Sequence, residues 1–249
     1  MTEAIGLEIH ISGYGLFGDF TSRDLDRLRS EVKNFAAACD CSEQDASLIG
    51  PYLEDSVEKC DRFEGPLSSI HFSSEPEGAH FSYLMMESDF GLLSLALYPQ
   101  AAWPHIFGAS NGMMIMLGIM LGHYNRRVIR QNRLQEFHDR LIHFYTSTGA
   151  SYMCGGRDLN FFDLAFKQGI PEGYRSPNSS YTYPVMIVNR ADSEAAGDIS
   201  QIEDRLFAYR RLEDGSTFIQ LSENPGFVRE PDYAVLADFL GKKSFYDIY

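Results

Sequence analysis

Residues 4–12 alternate, with Ile5, Leu7, Ile9 and Ile11 on one side and Glu8, His10 and Ser12 on the other. A period of two predicts a strand with one wet face. From residue 22 to 39 the period turns helical. Leu25, Leu28, Val32, Phe35, Ala36 and Cys39 form one stripe, Arg23, Asp26, Arg27, Lys33 and Asn34 lie off it, and Thr21 or Ser22 supplies an N-cap. A shorter helix is expected over 51–62, with Leu53, Val57 and Cys60 inward. Three strand-like runs follow at 67–73, 79–87 and 91–98. The middle run alternates Phe81, Tyr83 and Met85 against His80 and Ser82, and Glu87-Ser88-Asp89 turns the chain into the third. Together with the first strand they predict an antiparallel meander of about four strands backed by helices.

Pro99 and Pro104 interrupt this pattern. The apolar stretch 109–122 reads as a buried helix. Residues 125–147 read as a long amphipathic helix with Leu134, Phe137, Leu141 and Phe144 on its stripe. A short helix is expected at 158–167, a turn-rich loop at 169–180 and a buried strand from Pro184 to Asn189. Residues 205–212 and 216–222 form a hairpin closed by Asp214-Gly215, and a last helix covers 231–240. Strands clustered together and helices clustered together predict an α+β fold rather than a parallel α/β sheet. The 249 residues fit one α+β domain, 1–249, with 169–180 as the point where it would divide.

Charge changes this picture. The chain carries 35 acidic and 21 basic side chains, a net charge of −14. So negative a surface repels phosphate backbones and anionic membranes, so neither nucleic acid nor membrane is expected as a partner. The acidity is clustered. Residues 40–64 hold eight acids against two bases, and residues 192–238 hold eleven against four. Between them Arg126, Arg127, Arg130 and Arg133 crowd the expected start of the long helix, where cations oppose the macrodipole. The cost of that placement predicts that the arginines pair with the protein's own acidic segments. The two acidic segments together are the expected partner-binding face, with Asp40, Glu43, Asp45, Glu54, Asp55, Glu58, Asp192, Glu194 and Asp198 as its candidate residues. No basic leader and apolar run follow Met1, and the longest apolar stretch, Met113 to Leu121, falls far short of the ~20 residues of a membrane span. Cytoplasmic residence is expected.

Several motifs invite chemistry. Gly13-Tyr14-Gly15-Leu16-Phe17-Gly18 matches the dinucleotide fingerprint, whose glycines let a pyrophosphate approach a helix N-terminus. The polar stretch 40–47 cannot supply the second apolar strand that such a unit needs, so a glycine-rich strand-to-helix turn is the plainer reading. Asp89-Phe90-Gly91 stands without the other kinase segments and reads as an ordinary turn. Gly108-Ala109-Ser110-Asn111-Gly112 fits a nucleophile elbow with Ser110 as nucleophile. None of the seven histidines lies beyond His143, which makes the order Ser, Asp, His hard to assemble. Cys39, Cys41 and Cys60 offer only one close pair, and Cys39 and Cys60 sit on apolar stripes; buried inert thiols are expected rather than a zinc site. No cofactor, no metal and no catalytic residue are assigned. The enzyme alternative is a serine hydrolase using Ser110, and the binding alternative is a nucleotide at the Gly13–Gly18 loop.

In size, acidity and lack of catalytic motifs the chain resembles bacterial immunity proteins of polymorphic-toxin systems; the Gly13-to-Phe20 turn and the Tyr183-to-Arg190 strand fit that likeness. The resemblance implies a non-catalytic protein that neutralises a cognate protein toxin by covering it. It implies a basic surface on that partner and fast, electrostatically steered association.

Overall fold

The computed structural model describes residues 11–17, 25–41, 46–50, 61–65, 82–99, 113–150, 152–157, 181–225 and 228–244. Its centre is one sheet of ten strands. In chain order they are β1 (Ile11–Phe17), β2 (Ala46–Gly50), β3 (Asp61–Gly65), β4 (Ser82–Ser88), β5 (Gly91–Pro99), β6 (Met113–Met120), β7 (Tyr152–Arg157), β9 (Val185–Val188), β10 (Ala208–Arg211) and β11 (Thr217–Gln220). Across the sheet they run β10-β11-β9-β7-β1-β6-β5-β4-β2-β3, and every neighbouring pair is antiparallel. A separate parallel pair joins β8 (Tyr181–Thr182) to β12 (Lys243–Ser244). The helices are α1 (Leu25–Ala38), α2 (Leu134–Thr148), α3 (Arg190–Ala196) and α4 (Glu230–Leu240), with a π-helix at Tyr124–Ile129 and a 3-10 helix at Ile199–Arg205. The α+β class stands. No described helix is long and apolar enough to cross a membrane.

One face of the sheet carries the main core. Leu93, Leu95, Ile115, Leu117, Ile119, Met153, Val185, Ile187 and Phe218 meet Leu28, Val32, Phe35 and Ala36 of α1 and Phe137, Leu141, Phe144 and Tyr145 of α2. The helical stripes expected for both helices are thus the buried ones. The two helices touch through Phe35 and Phe144, whose ring centroids lie 4.5 Å apart. The other face is covered at one end by α3, the 3-10 helix and α4. That is why all four residues of β9 and of β11 are buried, whereas an antiparallel strand with one wet face would alternate.

The largest departure from expectation is β6. Residues 109–122 were expected as a helix, yet Met113–Met120 is a central strand paired with β1 on one side and β5 on the other. Ile115, Leu117 and Ile119 are completely buried in the main core. A short, uniformly apolar run satisfies a buried strand as well as a buried helix, and periodicity cannot separate them. The sheet also has ten strands rather than about four, because β2, β3 and β7 are only five or six residues long and the C-terminal hairpin joins the same ladder. The long helix expected at 125–147 is instead the π-helix, a turn containing left-handed Asn132, and then α2. The strand expected at 67–73, the helix at 158–167 and the 169–180 boundary fall outside the described residues, as does all but β3 of the helix expected at 51–62.

The β4–β5 hairpin is the tightest junction between the sheet and this helical layer. Ser88 Oγ donates to Gly91 O and accepts from Phe90 N. Leu92 N donates to His123 Nδ1 at 2.8 Å. Asp89 N donates to Cys39 O at the end of α1. Phe90 is buried edge-on against Phe137, and the Arg133 guanidinium lies 4.5 Å above its ring. The Asp-Phe-Gly triplet is therefore a docking turn. Gly91 has φ +111°, and a Cβ there would stand 2.4 Å from His123 Cβ. Gly91→Ala should cost about 2–4 kcal/mol from backbone strain plus displacement of His123. Chemical denaturation of the variant against wild type measures this; a loss under about 0.5 kcal/mol would show that the turn adapts.

Candidate interface at the sheet edge

Of the predicted acidic residues, Asp40, Asp192, Glu194 and Asp198 are among the described residues, and Asp40 follows α1 while the other three lie around α3 and the 3-10 helix. Residues 192–238 hold β10 and β11 at one end of the sheet, and residues 40–64 hold β2 and β3 at the other. Nine strand spacings of ~4.8 Å separate the outermost strands, roughly 40 Å along the sheet. The described strands of the two segments therefore lie far apart, a separation that the charge pattern alone does not show. Glu43, Asp45, Glu54, Asp55 and Glu58 lie outside the described residues. Asp40 is exposed in the turn after α1, at φ +49°.

The other three candidates sit together around α3 and the 3-10 helix, each with a local bond. Asp192 receives the ammonium of Lys242 at 2.8 Å, and that lysine side chain is only 7% exposed. Removing the Asp192 carboxylate would take an ion-pair partner from a nearly buried cation, so this carboxylate also supports the fold. Glu194 pairs with Arg190 at 2.6 Å on open surface, where solvent screening leaves such a contact little weight. Asp198 caps the 3-10 helix by accepting from Ser200 N at 3.0 Å; these hydrogen bonds hold its carboxyl below the usual carboxylate range.

The arginines pair elsewhere than expected. Arg127 meets Glu87 at 2.8 Å and donates to Ser88 O. Arg133 meets Asp89 and Glu136. Their partners are the β4–β5 turn and the first turn of α2, outside both acidic segments. The residues lie in and after a π-helix rather than at an α-helix N-terminus, so the macrodipole penalty is not what selects them.

Beside the acidic cluster lies a feature that the sequence did not reveal. Phe207 and Tyr209 are 45% and 39% exposed, the exposed large hydrophobic side chains among the described residues. Tyr209 is in β10 and Phe207 immediately precedes it, at the edge of the sheet where, among the described strands, β10 pairs with β11 alone. Leu212 N donates to Ser216 O at the hairpin end. Antiparallel alternation then turns the amides of Arg210 and Ala208 toward β11 and those of Tyr209 and Arg211 outward. Ala208 and Leu212 pack on the main core, and Arg210 reaches Asp139 of α2 at 2.7 Å. On the opposite side Tyr209 and Arg211 border an open cavity of 170 Å³ floored by Val188, Ile199, Ile219, Phe239 and Leu240. Tyr209 Oη donates to Glu203 Oε2 at 3.2 Å, which fixes the ring beside the carboxylates of the 3-10 helix. A protein surface with exposed aromatics, an apolar recess and surrounding carboxylates is equipped to bind another protein.

The sites suggested by motifs fare differently. Gly13 to Phe17 lies inside β1, paired on both sides, with Gly13 opposite Gly118 of β6 and Gly156 of β7. The amides of Gly13 to Phe17 serve the two ladders, so the strand-to-helix turn and the nucleotide alternative are corrected for Gly13 to Phe17: the facing glycines leave that row of the sheet without side chains on its faces. Gly18, Ser110 and Cys60 are outside the described residues. Cys39 and Cys41 are buried, and burial pushes the Cys39 thiol up to about 12 and the Cys41 thiol up as well, which keeps both protonated and unreactive.

One histidine, His138, is buried beside the apolar stripe of α2. Gln220 Nε2 donates to Ser222 O at 2.6 Å and Glu223 O at 3.2 Å, so its Oε1 faces His138 and the imidazole donates from Nε2 at 2.6 Å. This chain of bonds ties α2 to β11 and to the loop behind it, which Asn224 in turn fastens to Asn125 of the π-helix.

No protein-family model matches the chain, and no curated protein matches it. Among solved structures its fold is similar to that of the Pseudomonas aeruginosa T6SS protein PA0821, with a TM-score of 0.51 and 12% identity, over 94% of this chain and 72% of that one. The likeness is one of fold.

The His138 pair has a measurable pH signature. Desolvation pulls its pKa down to about 4 against an ordinary 6.5, outweighing the opposing Gln220 bond. Between those values the unfolded chain takes up a proton that the folded chain refuses, so stability falls as pH drops from about 6.5 toward 4. From pH 7.5 to 5.0, urea denaturation should show wild type losing on the order of 2 kcal/mol more than His138→Gln. Equal losses would rule out a buried neutral imidazole.

Proposed function

We propose that this chain is a non-catalytic binding protein that neutralises a cognate bacterial protein toxin by covering it, in the manner of an immunity protein. The observation that carries the reading is the open sheet edge on which Phe207 and Tyr209 stand exposed beside carboxylates. Aromatic anchors on a surface of this kind supply affinity. The net charge of −14 supplies long-range attraction to a basic partner. The name of PA0821, a T6SS protein, gives the similarity of fold a secretion context in which toxins and their neutralisers occur. In this reading the protein acts in the cytoplasm and needs no cofactor.

The test begins with the reading frame beside its gene. The purified product of that frame should bind the chain 1:1, lose its toxicity at stoichiometric addition, and bind at least about tenfold more weakly at 300 mM than at 50 mM NaCl. No binding at micromolar concentrations would remove the proposal. Absence of catalysis has its own check: a fluorophosphonate probe should leave the protein unlabelled, and labelling that Ser110→Ala abolishes would make it a serine hydrolase instead.

A further inference from the structure

We infer that the toxin docks at β10 by adding an extended strand of its own to the sheet and lodging one apolar side chain in the cavity beside Tyr209. This rests on the immunity reading above and names the surface that would serve it. Three independent features converge there. The amides of Tyr209 and Arg211 point outward from the edge, the arrangement that an added strand completes with backbone hydrogen bonds. Phe207 and Tyr209 lie exposed along that strand, and Tyr209 is already oriented by Glu203, so little freedom is lost when a partner packs on it. The cavity of 170 Å³ matches the size of recess that holds a benzene ring, and its floor is apolar.

The surrounding charges choose the occupant. Asp198 lies on the cavity wall, and Glu203 and Asp204 project from the adjoining 3-10 helix, all exposed. Arg210 is engaged by Asp139, Arg190 by Glu194 and Arg205 by Asp204, and Arg211 stands at the cavity rim, so Asp198 and Glu203 are the carboxylates that face the edge with no cation paired to them among the described residues. A strand with a leucine- or phenylalanine-sized residue between lysines or arginines fits these groups. A second copy of this chain, itself strongly acidic, would bring like charge to the same edge.

The experiment uses the full chain and the product of the neighbouring reading frame. Phe207→Ser and Tyr209→Ser should each weaken binding about 30-fold or more, the loss typical of an interface anchor, with unchanged melting temperature because both side chains are exposed. Arg211→Pro should weaken it well beyond Arg211→Ala, since proline removes the outward amide without touching the ladder to β11. Ile199→Trp, which fills the cavity, should weaken it again. If wild type binds and these variants bind as tightly, the docking surface is elsewhere while the immunity reading stands. If wild type itself does not bind, both fall. If light scattering shows a dimer of this chain that Tyr209→Ser dissociates, the edge belongs to a second copy and the inference is overturned.

Discussion

Everything in this fold depends on β1 being paired on both sides. In the sheet it stands between β7 and β6, so it alone joins the four strands β10, β11, β9 and β7 to the five strands β6, β5, β4, β2 and β3. Its partners are distant in sequence: Gly13 faces Gly118 on one side and Gly156 on the other. A row of three glycines at this junction lets the backbones pair with no side chain to bury, and places the burden of cohesion on hydrogen bonds and on the core residues above and below. Once the ladder is continuous, α1 and α2 have one uninterrupted apolar floor to cover, and the β4–β5 turn locks that layer through Phe90 and Arg133.

The parts of the fold visible in the chain are those specified by near neighbours. The stripes of α1 and α2 are legible because residues three and four apart share a helix face, and the burial of Leu28, Val32, Phe35, Phe137, Leu141 and Phe144 follows. The closing turn at Asp214-Gly215 is legible because its left-handed glycine has a local signature. What could not be read depends on pairings across a hundred residues or more. Met113–Met120 is apolar throughout, and only its two neighbours decide that it is a strand. The π-helix at Tyr124–Ile129 has no composition of its own. The acidic segments look like one surface in sequence, yet strand order places their described strands, β2 and β3 in one and β10 and β11 in the other, at opposite ends of the sheet. The candidate interface was only half legible for the same reason: Asp198 stands out as a charge, whereas Phe207 and Tyr209 look like alternate residues of a hairpin until the sheet shows that nothing among the described strands lies beyond β10.

The candidate interface is separated by position from the contacts that hold the fold. The main core, the His138–Gln220 chain and the β4–β5 turn hold the sheet to its helices, and their polar groups are satisfied within the protein. The edge at β10 has its inner side committed to the same core through Ala208 and Leu212 and its outer side exposed. A rigid strand backed by a packed core can present aromatic side chains and backbone amides in fixed geometry.

The placement of β1 also governs how the chain emerges during synthesis. β1 is made early, but its outer ladder is not closed until residues 152–157 have followed, about 140 residues later. At ~5–20 residues per second the strand waits roughly 5 to 20 s for β6 and then stays half-paired for about 2 to 8 s more. For that interval the nascent chain exposes a glycine-rich edge in the middle of its future sheet, and it needs protection from a neighbouring strand or a chaperone until β7 arrives.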